Sequence, residues 1–503
     1  MMLFRNTSTL GKTSNHDAVL AQNEPAVTKP KSRQIGLLLL SGLVISSMIG
    51  GGAFDLPQNM AAAASLGAIA IAWGVTLFGM FFLANTFRTL ANQRPDLTAG
   101  IYSYAREGFG KFAGFMMAWG YWLSSALGNV AFAVLTMQVF GYFFPMFGQG
   151  QNIPSLIGGS LLIWVMCFLV LSGVRRVAML NLIATILKLT GLIAAIIIMF
   201  AYAKLGHFNI DFWGKTAHLG SIFRQVKSTM LVTLWVFLGI EGAVVVSDRA
   251  RSQNDVGKAT FIGFFACFIL YALISMLPFG IMTQHQLAHL NNPSAALVLN
   301  AVVGSWGGTL ANIALLIAVL SSWLAWTILT AELPLMGAKD GVFPKFLARE
   351  NGHHAAAPAL WISSIVMQMA MFSVLFAHNA WIWLITVTGA MSLPPYLAST
   401  AYLWKLAGNR DYHPTMSETR IASIVTGILG TVYSVWLLYA AGSQFLLLSA
   451  VMYIIGVPVF LWAEREQHLT IVFNGYEKLV ILLLLIATIA AVVLFKTGAV
   501  KLG

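Results

Sequence analysis

Apolar stretches of about 20 residues or more recur along nearly the whole chain, and this most constrains what it can fold into. Thirteen can be read, at 35–60, 66–91, 110–145, 153–173, 180–204, 227–248, 258–283, 303–335, 358–378, 380–405, 420–440, 443–463 and 477–496. Roughly 20 mostly apolar residues carry a helix across the hydrocarbon core of a bilayer. Inside that core backbone polar groups find no water, so a chain of such stretches must be helical where it spans. The sequence therefore predicts an all-α polytopic membrane protein. Composition agrees, because charged residues are 9% of the chain, against about 25% in soluble domains.

Basic residues orient the predicted spans. With the N-terminus cytoplasmic, 22 Lys and Arg fall in inside segments and 6 in outside ones, with Lys188 left within a span. That bias follows the positive-inside rule and, with thirteen spans, predicts an outside C-terminus. The net charge of +12 is spread through short loops, so the expected partner is the lipid bilayer and not nucleic acid. Residues 1–33 are polar and the first apolar run exceeds a signal-peptide core, so a cytoplasmic tail is expected in place of a cleavable signal. Cys167 and Cys267 both lie in apolar runs, which disfavours a disulfide framework and a thiolate metal site.

Two predicted spans are interrupted at matching places. The first carries SSMIGGGAFDLPQN from Ser46 to Asn59, with Gly50, Gly51 and Gly52 in its middle. The sixth carries LWVFLGIEGAVVVSDRA from Leu234 to Ala250, where Gly239 and Gly242 bracket Glu241. Glycine permits unusual dihedrals and close approach to the backbone. Paired interruptions at equivalent positions point to an inverted-repeat transporter with a midplane site. The competing reading is close helix packing through small residues, although packing seams usually space glycines by four.

At these residues the chain resembles the amino acid–polyamine–organocation superfamily, in its basic amino acid antiporter branch. The stretches SMIGGGAFDLPQNMA from Ser47, RPDLTAGIYSYAREGFG from Arg94, AWGYWLSSALGN from Ala118, LWVFLGIEGA from Leu234 and WTILTAELPLMGAKDGVFPKFLAREN from Trp326 carry the likeness. It is similar to bacterial arginine/ornithine antiporters. The resemblance implies a 5+5 inverted-repeat fold with spans one and six broken, a transport core over 34–405 and additional helices over 406–503. It also implies exchange of cationic amino acids by alternating access in a bacterial cytoplasmic membrane. A proton-coupled permease for lysine or another basic amino acid is the alternative. A homodimer is left open.

The likeness also assigns expected roles. Backbone N–H groups at Gly50, Gly51 and Gly52 would hold a carboxylate, and carbonyls of Met48, Trp235 and Leu238 an ammonium. Trp235 would pack on the substrate stem, and Trp326 would close over its distal end. Ser124, Ser125 and Asn129 would line the side-chain pocket, although Asn129 reads equally as an interhelical hydrogen-bonding residue. Glu241 matches a proton-sensing glutamate. Lys188 matches the lysine that replaces sodium in proton-coupled relatives, tying span five to spans one and eight near Ser321 and Ser322. Asp55 would face the outer vestibule. Arginine/agmatine relatives carry serine at the Gly51 position and lack the lysine, which sets this chain apart from them.

The sequence offers no phosphate-binding loop, HExxH helix or zinc spacing, so no cofactor or metal is expected. An intramembrane enzyme would need a catalytic cluster at one depth, and the sparse buried charges do not form one.

Overall fold

The computed structural model describes residues 36–97, 100–241, 251–377, 379–409, 412, 414, 418–467 and 473–497. The expected tail at 1–33 lies outside the described residues, as do Gly242 to Ala250 and most of the polar loop after Asn409. The elements of the first half are α1 (Leu37–Met48), α2 (Leu56–Ala61), α3 (Leu66–Gln93), α4 (Ile101–Phe109), α5 (Lys111–Phe143), α6 (Ile153–Leu171) and α7 (Val174–Tyr202). The second half holds α8 (Ile222–Phe237), α9 (Gln253–Met276), α10 (Gln284–Ala288), α11 (Ser294–Val303), α12 (Ser305–Lys339), α13 (Ala357–Ser373) and α14 (Ala380–Gly408). After them come α15 (Arg420–Ala441), α16 (Ser443–Ile454), α17 (Gly456–Glu466) and α18 (Gly475–Lys496). No strand element occurs among the described residues.

Among the described residues ten helices are long and apolar enough to cross a membrane, and the bent pair at the first span makes eleven. The 16-residue α8 and the 29-residue α14, with Pro394 and Pro395 inside it, occupy the other two of the thirteen predicted stretches. The stretch predicted at 443–463 is divided at Ile455 into α16 and α17.

The two halves interleave. α9 packs on α1 and α3, α5 on α12 and α14, and α7 on α12. Burial follows this order: 94% of the apolar window of α5 is buried, against 6% for α18, so α5 is a central post and α18 a peripheral one. The inverted repeat has a local signature. In each half a short helix, α4 or α11, runs through a left-handed glycine into a long helix, α5 or α12. Those glycines, Gly110 and Gly304, have φ of 95° and 81°, a region that side chains with a Cβ enter at a cost. α4, α10 and α11 lie between the thirteen predicted stretches, because each is too short to span.

The first span breaks between Met48 and Leu56. Gly50 is extended, Gly51–Asp55 forms a 3-10 turn, and the chain axis bends by 50° across the gap. Three glycines in a row lower helix stability there, and Pro57 is tolerated because it sits in the first turn of α2. α8 stops at Phe237, and Gly239 follows with φ of 100°. The breaks touch: Ser47 Oγ lies 2.8 Å from the Gly239 carbonyl oxygen and 2.8 Å from the Val44 carbonyl oxygen of its own helix, and its one proton is shared between them. A Cβ on Gly239 would lie 2.9 Å from the Ser47 carbonyl oxygen, so both conformation and space require glycine.

Candidate functional site

The breaks, α5, α12 and α14 enclose a narrow internal pocket. Ser47, Met48, Gly50, Gly52 and Ala53 line it from the first break, and Trp235, Val236 and Leu238 from the end of α8. α5 contributes Tyr121, Ser124, Ser125, Gly128 and Phe132, α12 contributes Trp326, and α14 contributes Thr388 and Ser392. Every one of these side chains is uncharged. The α5 residues lie three or four positions apart, which puts them on one helix face.

Two glycines fit the pocket around one indole. A Cβ on Gly52 would sit 2.5 Å from Trp235 Nε1, and one on Gly128 would touch the same ring at 3.5 Å. Trp381 meets Trp235 edge-on at 6.0 Å and Phe132 lies tilted at 5.9 Å, so the ring is braced from three directions. The hydroxyls are mostly engaged. Ser124 Oγ donates to the Thr388 carbonyl at 2.9 Å and lies 2.6 Å from Ser392 Oγ, while Ser125 Oγ donates to the Tyr121 carbonyl at 2.8 Å. Thr388 Oγ1 is buried at the wall without a hydrogen-bond partner among the described residues.

Of the twelve residues expected to bind substrate or couple protons, eight line this pocket: Met48, Gly50, Gly52, Ser124, Ser125, Trp235, Leu238 and Trp326. The other four lie around it. Gly51 turns its Cα hydrogen toward α5 and α12, where an added Cβ would collide with Leu135 and press on Leu315 and Val319. Close packing is therefore its structural role. Asn129 Nδ2 donates to Thr330 Oγ1 at 3.0 Å, an interhelical bond that draws the amide out of the lining.

Glu241 stands behind the pocket wall, 4% exposed. Tyr396 donates to its Oε2 at 2.9 Å, and Tyr121, itself a lining residue, donates to its Oε1. Lys188 is fully buried on the other side of the first break. Its Nζ donates to the Ser46 carbonyl at 2.9 Å and to Ser322 Oγ at 3.2 Å, and Ser322 in turn donates to the Ile49 carbonyl at 3.2 Å.

Three expectations are corrected. Ser321 does not join the Lys188 link, because its hydroxyl bonds within its own helix to Ala318 at 3.0 Å. The Met48 and Trp235 carbonyls are not free, since turns at the breaks supply them with the N–H groups of Gly50 at 2.8 Å and Leu238 at 3.2 Å. Asp55 does not face a vestibule. It is 0% exposed, no side chain among the described residues donates to its carboxylate, and the backbone N–H of Ser294 faces it.

Sequence reasoning missed Tyr121, Thr388, Ser392 and Tyr396. Tyr121 carries a usable signal, since it precedes Ser124 and Ser125 by three and four residues on one helix face. Thr388 and Ser392 repeat at the same spacing on α14.

Interleaved helical repeats with two touching breaks and an uncharged, aromatic-walled pocket between them define a multi-pass membrane protein of the inverted-repeat transporter class. The chain matches the amino acid permease family over residues 35–446 and belongs to it. It is 49% identical to an arginine/agmatine antiporter of Chlamydia felis over 93% of this chain and 98% of that protein. It is 48% identical to an arginine/agmatine antiporter of Chlamydia pneumoniae over 94% and 99%. A Chlamydia trachomatis protein of the same name is 47% identical over 93% and 98%. Those names carry agmatine as the second substrate, where the sequence reading expected ornithine.

Proposed function

We propose that this chain exchanges arginine for a second basic compound across a bacterial cytoplasmic membrane, by alternating access around the pocket between the breaks. The observation that carries the reading is the lining itself: backbone breaks at one end, two tryptophans, and no charged side chain. A zwitterion with a cationic tail suits such a lining. Its carboxylate is taken by N–H groups at Gly51 and Gly52, where the 3-10 turn begins without a side-chain cap, while the expected Gly50 N–H is held by the Met48 carbonyl. Its ammonium approaches the Leu238 carbonyl. Its stem lies on Trp235 and its guanidinium near Trp326, each aromatic face contributing about 0.5–2 kcal/mol. Thr388 Oγ1 is a further acceptor for the tail.

Agmatine, named in the relatives, is arginine without the carboxylate, so both compounds present the same guanidinium to the same walls. This favours agmatine as the exchange partner, with ornithine as the competitor to test. In this reading Lys188 holds the first break against α12 and Glu241 senses protons behind Tyr121. Asn129 tunes the pocket through Thr330.

Counterflow in proteoliposomes tests the proposal. Vesicles loaded with agmatine, ornithine, lysine or buffer are given labelled external arginine, with and without a proton gradient. Uptake should require an internal basic compound and be fastest against agmatine. Equal accumulation by empty vesicles under a proton gradient would replace exchange with proton-coupled import.

A further inference from the structure

A second cavity opens at one end of the bundle, where α3, α9 and the approach to α15 meet, and shares no residue with the pocket between the breaks. Arg88, Thr89, Glu418 and Ser423 form its polar side, and Phe81 and Phe261 its apolar side. The span ends gathered here place it at the depth of lipid headgroups. Gln93 closes α3, Gln253 opens α9 and Arg420 opens α15.

The two charges in this cavity are loosely joined. Arg88 Nε lies 3.8 Å from Glu418 Oε1, and the guanidinium sits over the Phe261 ring at 5.5 Å. A guanidinium offers five N–H donors, and among the described residues no hydrogen bond claims those of Arg88. Glu418 is 3% exposed in its side chain, yet among the described residues its oxygens receive only Asn92 at 2.6 Å and Gln93 at 3.4 Å besides that ion contact. A carboxylate accepts about four such bonds, so acceptor capacity is left over. A cation and an anion with spare capacity, side by side at headgroup depth, match a ligand that itself carries both charges.

An aromatic strip leads away from the charges. Phe81 packs on Phe261 at 5.5 Å and Phe261 on Phe265 at 6.5 Å, and both outer rings face out of the protein. Such a strip suits an acyl chain and has no use for a small soluble anion.

We propose that this cavity binds one phospholipid with an ethanolamine headgroup. Its phosphate sits on Arg88 and its ammonium on Glu418, with one acyl chain along Phe81, Phe261 and Phe265. Phosphatidylglycerol brings a phosphate but no cation for Glu418. Phosphatidylcholine brings a cation without N–H donors. The bound lipid would join α3 and α9 to the segment that enters α15.

The test is native mass spectrometry of the purified full chain, titrated separately with phosphatidylethanolamine, phosphatidylglycerol and phosphatidylcholine. One tight adduct is expected, with ethanolamine preferred by about tenfold or more, the worth of one charge-assisted hydrogen bond. Arg88→Gln should remove the adduct for all three lipids, and Glu418→Gln should keep it but erase the preference. Ala422→Trp, which fills the cavity without touching either charge, should also remove it, and serves if Arg88→Gln fails to fold. Excess inorganic phosphate should not displace the lipid. A preference for phosphatidylglycerol, displacement by phosphate, or an adduct unchanged in both Arg88→Gln and Ala422→Trp would overturn the assignment.

Discussion

The two breaks are built from similar chain but held by different chemistry. The first is anchored from outside by a cation, with Lys188 and Ser322 taking the carbonyls of Ser46 and Ile49. Its own carboxylate, Asp55, receives no side-chain donor among the described residues. The second break is anchored through its own carboxylate, Glu241, which two tyrosines of α5 and α14 hold. Freed backbone carbonyls can thus be satisfied by an imported charge, or the break can bring its own acceptor and borrow donors. The first arrangement fixes the break to α12, a neighbour in sequence to none of its own repeat. The second ties its break to α5 and α14.

The largest test of this contrast is Lys188→Met, which keeps the stem and removes the charge. Losing charge-assisted bonds worth about 1.5–3 kcal/mol should slow exchange by roughly ten- to hundredfold, in protein that still elutes as a folded species. Exchange within twofold of the unaltered protein would mean that the lysine merely fills space and that the first break needs no anchor. Next in size is Trp235→Leu, which touches the pocket shared by both breaks. Arginine binding, read by isothermal titration, should weaken about two- to thirtyfold, while a neutral amino acid loses less. Equal losses for both would point to shape and not to the π face.

The second anchor is probed by Tyr396→Phe and Glu241→Gln. Removing one buried hydrogen bond should lower stability by about 1–2 kcal/mol, visible as a lower melting temperature. Glu241→Gln should leave folding intact and flatten the pH profile of exchange, and a profile with its normal shape would take Glu241 out of proton sensing. The smallest effect is expected at Asp55. A buried carboxyl group that receives no side-chain donor among the described residues is costly to ionise, and asparagine avoids that cost at equal size. Asp55→Asn should therefore raise stability by up to about 1 kcal/mol at neutral pH. A clear loss would reveal a partner for this carboxylate in another state of the protein.

Much of this architecture can be read from the sequence, for physical reasons that also mark the limits. Spans are legible because lipid demands long apolar helices, and the breaks because Gly50 to Gly52 and Gly239 contradict that demand in mid-span. The short α4 and α11 were invisible, since nothing in a ten-residue stretch must be helical before its neighbours pack on it. Yet each ends at a glycine just before a long span, and that shared punctuation could have revealed the repeat. Within the pocket, Trp235 and Trp326 were legible through the resemblance carried by LWVFLGIEGA and WTILTAELPLMGAKDGVFPKFLAREN. Tyr121 and Tyr396 were not, because they matter through Glu241, and a partner reached across 120 or 155 residues leaves no local pattern. Asp55 was misplaced because a charge in a sequence suggests water, while its surroundings are set by α11 and Ser294, far along the chain.

The bond from Ser47 to the Gly239 carbonyl means that two hinges share a pin. Tilting either half-helix changes that contact, and the Ser47 proton can then turn to the Val44 carbonyl of its own helix. A lever with one fulcrum switches between end positions more sharply than two independent springs, whose partial motions would open a leak through the middle. One serine hydroxyl can therefore bear on how tightly the cycle stays coupled, quite apart from what the pocket holds.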